Sequence, residues 1–174
     1  MDTATQTEPA VMKGKATVQR TSDRELVVSR TVGGPARIVF EAWTKPELFQ
    51  QWWVPKSFPI SLLSCELDVR VGGGYRLVFE NAGSTMEFFG RYLEVAPASR
   101  LVWTNDEGDA EPVTTVTFEE MDGKTVVTVH ELYPSKNALD DAIASGSAGL
   151  YGMPESLEQL DKLLVTLRTG GEEA

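Results

Sequence analysis

Apolar residues change their spacing several times along this chain, and each change marks an expected element. Residues 1–24 are polar and Thr-rich with no sustained period, which predicts a flexible leader. Ala16–Gln19 is an unsupported candidate for a short strand within it. Glu25–Thr31, ELVVSRT, is a β-rich run ended by Gly33 and Gly34, and predicts the first strand. Pro35 suits the first turn of a helix, and Ile38, Val39, Ala42 and Trp43 follow at helical spacing. Thr44 is placed to cap a second short helix, PELFQQWW, ending before Pro55. The next residues, Trp52 to Ile60, form a loop more apolar than surface loops usually are, so the loop folds over a core or rims a pocket.

From Leu62 the period becomes two. Leu63–Val69, Tyr75–Glu80, Thr85–Val95, Leu101–Asn105, Val113–Glu120 and Thr125–Leu132 read as six strands. Gly72–Gly74, Asn81–Ser84, an acidic loop at 106–112 and an Asp-Gly hairpin at Met121–Lys124 separate them. Connections this short predict an antiparallel sheet. After Pro134-Ser135 the period lengthens again. Ala138–Leu167 is long enough for many helical turns, and Leu157, Leu160, Leu164 and Leu167 form one apolar stripe with Leu163 beside it. Gly146, Gly149, Gly152 and Pro154 predict a kink or break between about Ser145 and Pro154. The glycines equally allow a sheet or a ligand to approach closely.

A chain of 174 residues fits one domain, expected over 25–168, with a flexible tail at 169–174. No apolar run approaches the roughly 20 residues that span a bilayer, and the N-terminus lacks a signal-peptide pattern. A cytoplasmic location is therefore expected. The formal charge of −10 repels phosphate backbones and anionic membrane surfaces, so neither nucleic acid nor membrane is an expected partner. The single cysteine, Cys65, excludes an internal disulfide and reads as a small core residue.

A catalytic apparatus is hard to find. On the last strand Val127, Val129 and Glu131 share a face, and His130, the one histidine, shares the other. If the valines face the core, His130 points to solvent and Glu131 points inward. A carboxylate in an apolar cavity is a candidate acid or base, so Glu131 is the first catalytic candidate, set against a plain ion-pair role, with Tyr75, Tyr92 and Arg91 as the other polar candidates. In the Thr85–Val95 strand, Gly90, Tyr92 and Glu94 alternate with Phe89, Arg91, Leu93 and Val95, and either set can face in. An inward Arg91 would anchor a carboxylate; an outward one would be an ion-pair partner. Gly72–Gly74 is not a phosphate loop, because no Lys-Ser/Thr and no helix follow it. No His, Cys or carboxylate pair has metal spacing, and no cofactor is expected.

Four stretches carry a resemblance to a known family. They are SRTVGGPARIVFEAWTKPELFQQWWVP, CELDVRVGGGYR, FFGRYLEVAPASRLVWTN and VTTVTFEEMDGKTVVTV. Together they resemble a bacterial member of the family named for the activator of the heat-shock chaperone ATPase, within the START-like (SRPBCC) superfamily that includes the birch pollen allergen. The resemblance implies an α+β helix-grip fold, in which a curved antiparallel sheet wraps a long C-terminal helix. It also implies a cavity between sheet and helix, lined by Phe40, Trp43, Trp52, Trp53, Phe58, Tyr75, Leu77, Phe79, Phe89, Arg91, Trp103, Phe118, Val129, Glu131, Leu150, Met153 and Leu157. Gly152-Met153 stands where many relatives have Gly-Trp, which should reshape that part of the cavity. Members share the cavity and not one reaction, so the expected function is non-catalytic binding of a small apolar molecule. An enzyme of the cyclase, dehydratase or hydrolase kind is the second reading, and an interaction module the third. A homodimer through an exposed sheet face or edge stays open. A chaperone partner is not expected, because the chaperone link belongs to eukaryotic proteins with an additional N-terminal domain for which this chain has no room.

Overall fold

The computed structural model describes residues 7–106 and 108–172. Among these residues the strands are β1 (Val11–Lys13), β2 (Ala16–Arg20), β3 (Glu25–Val32), β4 (Ser61–Leu67), β5 (Gly74–Asn81), β6 (Ser84–Ala96), β7 (Arg100–Trp103), β8 (Val113–Met121) and β9 (Lys124–Leu132). The helices are α1 (Ala36–Thr44), α2 (Pro46–Phe49), α3 (Lys136–Ser145) and α4 (Met153–Glu172), with a 3-10 turn at Gly149–Tyr151. All strands join one antiparallel sheet in the order β1-β2-β3-β9-β8-β7-β6-β5-β4. The α+β architecture is that expected, a curved sheet with a C-terminal helix against its inner face.

Curvature comes largely from β6. Its residues Ser84–Arg91 pair with β5, and Tyr92–Ala96 pair with β7. The register shifts between Tyr92 and Glu94, where a bulge tightens the local twist. Gly90 sits at this bend. A Cβ there would lie 2.0 Å from the Thr104 carbonyl oxygen and 2.8 Å from the Tyr75 ring, so only glycine lets the strands come this close.

The inner face alternates as a half-buried sheet must. Leu26, Val28 and Val32 of β3, Val116 and Phe118 of β8, and Val127 and Val129 of β9 all point into the core. From α1, Val39, Ala42 and Trp43 meet them, and from α4, Leu157, Leu160, Leu163 and Leu164. Each such leucine contributes roughly 2 kcal/mol of burial. Polar anchors fix the position of α4. Asp161 accepts from the Arg30 guanidinium at 3.1 Å and from the Gly33 backbone N–H at 2.8 Å.

Several expectations need correction. The leader expected over 1–24 is not flexible throughout, because β1 and β2 extend the sheet edge and Ala16 and Val18 are buried. The candidate strand at Ala16–Gln19 is β2, whose two inward positions make only a short alternation in a polar segment. Residues 1–6 lie outside the described residues. The tail expected at 169–174 continues α4 as far as Glu172, with 173–174 outside the described residues. Thr44 does not cap the second helix. Its hydroxyl donates to the Phe40 carbonyl of α1 at 2.9 Å, and α2 is a single turn that stops at Phe49. The break in the C-terminal segment falls where the glycines put it. Ser135 caps α3 by accepting from Ala138 N–H at 3.0 Å, and Gly146 ends it at φ +81°.

Candidate functional site

A cavity of about 370 Å³ lies between the inner face of the sheet and the connection from α3 to α4. Tyr75, Leu77 and Phe79 of β5, Tyr92 of β6, Trp103 of β7, Thr114 of β8 and Glu131 of β9 form its floor. Trp53, Val54, Pro55 and Phe58 from the apolar loop, with Ala148, Gly152 and Met153, form its roof. Most of the rings meet edge to face, with Trp43–Trp103 tilted and Phe49–Trp53 stacked. Trp43 stands 4.7 Å from Trp52 and 5.9 Å from Trp103 between ring centres, and Trp103 stands 6.4 Å from both Tyr75 and Tyr92. Rigid rings held at such angles leave space that branched aliphatic side chains would fill.

The roof is tied down by α4. Gln159 donates to the carbonyls of Trp52 and Val54 and accepts from the Lys56 N–H. One turn earlier, the Ser156 hydroxyl donates to the Trp53 carbonyl at 2.6 Å. Glu155 accepts from both the backbone N–H and the hydroxyl of Ser57. Those bonds hold its carboxyl below the ordinary carboxylate range, the Ser57 hydroxyl contributing most. Gly152 lets the loop lie flat, since a Cβ there would press on Phe58 at 3.3 Å and Pro55 at 3.4 Å.

One end of the cavity is polar. In the sheet, Glu131 pairs with Leu26 of β3 on one side and Thr114 of β8 on the other. The Tyr133 hydroxyl donates to the Glu131 carboxylate at 3.2 Å. Burial first, and then the Glu131 charge, push the Tyr133 phenol well above its ordinary value, so it stays protonated. The Tyr75 hydroxyl donates to the Thr104 carbonyl at 2.7 Å and stands 3.0 Å from the Asn105 side-chain oxygen. The Asn105 amide in turn donates to the Pro112 carbonyl at 2.7 Å. Burial likewise raises the Tyr92 phenol.

The expected lining residues separate into three groups. Trp43, Trp53, Phe58, Tyr75, Leu77, Phe79, Trp103, Glu131 and Met153 come together around the cavity. Phe40, Trp52, Phe118, Val129, Leu150 and Leu157 pack in or against the core behind it, with the Trp52 indole N–H donating to the Ala42 carbonyl at 2.9 Å. Phe89 and Arg91 do not belong to the site. Gly90 and Tyr92 take the inward face, so Phe89 is exposed and Arg91 pairs with Asp106 on the outside at 3.3 Å. His130 points away from the cavity and meets Glu25 at 2.8 Å.

Residues not anticipated include Phe49, Asn105 and Tyr133, whereas Tyr92 is a candidate whose facing the sequence leaves open. Tyr133 lies two positions after Glu131 and so continues its face, a signal hidden because the strand pattern stops at Leu132. Among the described residues no group of three or more His, Cys, Asp or Glu is placed to hold a metal ion. No described helix is long and apolar enough to cross a membrane.

A sheet that grips a C-terminal helix over a cavity defines a helix-grip protein. The family model described as activator of Hsp90 ATPase homolog 1-like protein matches residues 34–165, and the chain belongs to that family. Solved structures agree in fold. A Rhodobacter sphaeroides protein is 21% identical with a TM-score of 0.76, covering 87% of this chain and 99% of its own. A Nitrosomonas europaea protein is 24% identical with a TM-score of 0.73, covering 83% and 96%. A Staphylococcus epidermidis protein solved in solution is 27% identical with a TM-score of 0.71, covering 84% and 93%. No curated protein matches this chain.

Proposed function

We propose that this protein binds a small, largely apolar molecule in the cavity between sheet and α4. One observation supports the reading above the others: about 370 Å³ of space remains among aromatic side chains that are otherwise well packed. That volume suits a compact molecule of one to three rings. Native mass spectrometry of freshly purified protein, followed by a screen of apolar compounds for thermal stabilisation, tests it. A retained small molecule, or a screened compound that raises Tm in proportion to its concentration, is the expected result. An empty mass together with a screen that moves Tm for no compound would overturn it.

A second reading is catalysis in the same cavity, and the Glu131–Tyr133 pair favours it. A carboxylate oriented by a phenol hydroxyl inside an apolar pocket is a reasonable proton acceptor. Once a ligand is known, incubation followed by mass analysis tests this reading. A product that wild-type protein forms and Glu131→Gln does not would support it, and recovery of the ligand unchanged would exclude it.

A further inference from the structure

The cavity is chemically one-sided. Its lining contains two carboxylates, Glu111 and Glu131, and no Lys, Arg or His among the described residues. Thr114 pairs with Glu131 and Val113 with Leu132, and Glu111 lies two residues before Val113, so both carboxylates belong to the same end of the β8–β9 pair.

Three side-chain donors at that end are engaged within the protein: Tyr133 donates to Glu131, Tyr75 to Thr104, and Asn105 to Pro112 and Thr114. Glu131 and Glu111 present oxygen and negative charge to a guest. Beyond it Tyr75, Tyr92 and Trp103 make the wall aromatic, and aromatic rings attract cations over their faces. A carboxylic acid in this pocket would bring like charge beside Glu131, in a lining without Lys, Arg or His among the described residues. A protonated amine would meet a charge-assisted acceptor at one end and apolar rings along its body.

We infer that the ligand is an apolar amine, its ring or branched hydrocarbon body among Trp43, Trp53 and Trp103 and its protonated nitrogen against Glu131 at the end shared with Glu111. This inference rests on the cavity-binding reading above and adds the sign of the ligand's charge.

Three probes with one body and different charge test it: naphthalen-1-ylmethylamine, naphthalen-1-ylmethanol and 1-naphthoic acid, titrated into the full chain by calorimetry near pH 7. The amine should bind about tenfold or more tighter than the alcohol, as expected for one charge-assisted bond, and the acid weaker than both. Glu131→Gln should bring the amine close to the alcohol. Glu111→Gln, on an exposed loop, should lower amine affinity severalfold and serves if the first variant does not fold. If the alcohol or acid matches the amine, or neither variant narrows the difference, the amine assignment is wrong and cavity binding stands. If none of the three binds, the amine assignment is wrong, and the native mass and compound screen above decide cavity binding separately.

Discussion

The Gln159 side-chain amide donates to the Trp52 carbonyl at 2.9 Å, across more than a hundred residues of chain. The same side chain donates to Val54 and accepts from Lys56, so one residue of α4 satisfies three backbone groups of a loop with little secondary structure. That loop carries Trp53, Val54 and Pro55 into the cavity roof. Gln159→Leu keeps the volume and removes all three bonds, leaving buried carbonyls unpaired. A loss of about 2–4 kcal/mol is expected. Urea denaturation followed by tryptophan fluorescence measures it, and a loss under ~0.5 kcal/mol would mean that the roof does not depend on this contact.

Gly90→Ala should be among the most damaging small substitutions in the chain. The added methyl would meet a backbone carbonyl at 2.0 Å, and backbone cannot rotate aside as a side chain can. A cost of at least about 3 kcal/mol, or failure to fold, is expected. The neighbouring exposed Phe89→Ala should cost much less, and comparison of the two by thermal unfolding separates strand bending from simple loss of contact.

The Glu155 contacts to Ser57 predict a pH dependence of stability. Folding lowers the Glu155 carboxyl below its ordinary value of 4.5, so the unfolded chain binds the proton more readily. The contribution is complete above that value and is lost as pH falls through the depressed native value. Wild-type Tm should therefore exceed that of Glu155→Gln near pH 6, and the gap should shrink below about pH 4. A gap that stays constant down to pH 3 would contradict the assignment.

Burial, with Glu47 and Glu66 adding to it, pushes the Cys65 thiol from 9.0 up to about 11. At pH 8 the thiolate fraction is then only about 0.1%. Labelling with a thiol-reactive disulfide should be much slower than for a free cysteine and should recover that rate in 8 M urea. Fast labelling of native protein would show the thiol to be more open than its place opposite Leu77 implies.

Much of this fold is legible in the sequence because its signals are local. Alternating valines in β9, the leucine stripe of α4 and the glycines between α3 and α4 each set a conformation within a few residues. The edge strands β1 and β2 are less legible, since Ala16 and Val18 alone supply their buried face. The site is legible in part. Glu131 follows from the parity of Val127 and Val129, and the aromatic loop stands out by composition. The facing of β6 does not, because Phe89 and Tyr92 are both large and apolar enough to be core. Gly90 decides it, by a contact with Thr104 that depends on how two distant strands bend. Gln159 is equally silent: a polar residue on a helix reads as solvated until the loop it holds is in place.

The sheet order has a consequence for how this chain is made. β3 has two neighbours: β2, next to it in sequence, and β9, whose partners to Glu25 and Val32 are Leu132 and Thr125. During synthesis β3 waits for roughly a hundred residues before that side can be covered, whereas the β4–β5–β6 meander can pair as it emerges. The leucines of α4 come later still. The cavity roof is therefore the last part of the protein to be secured, and an incomplete chain presents the aromatic interior to whatever surrounds it.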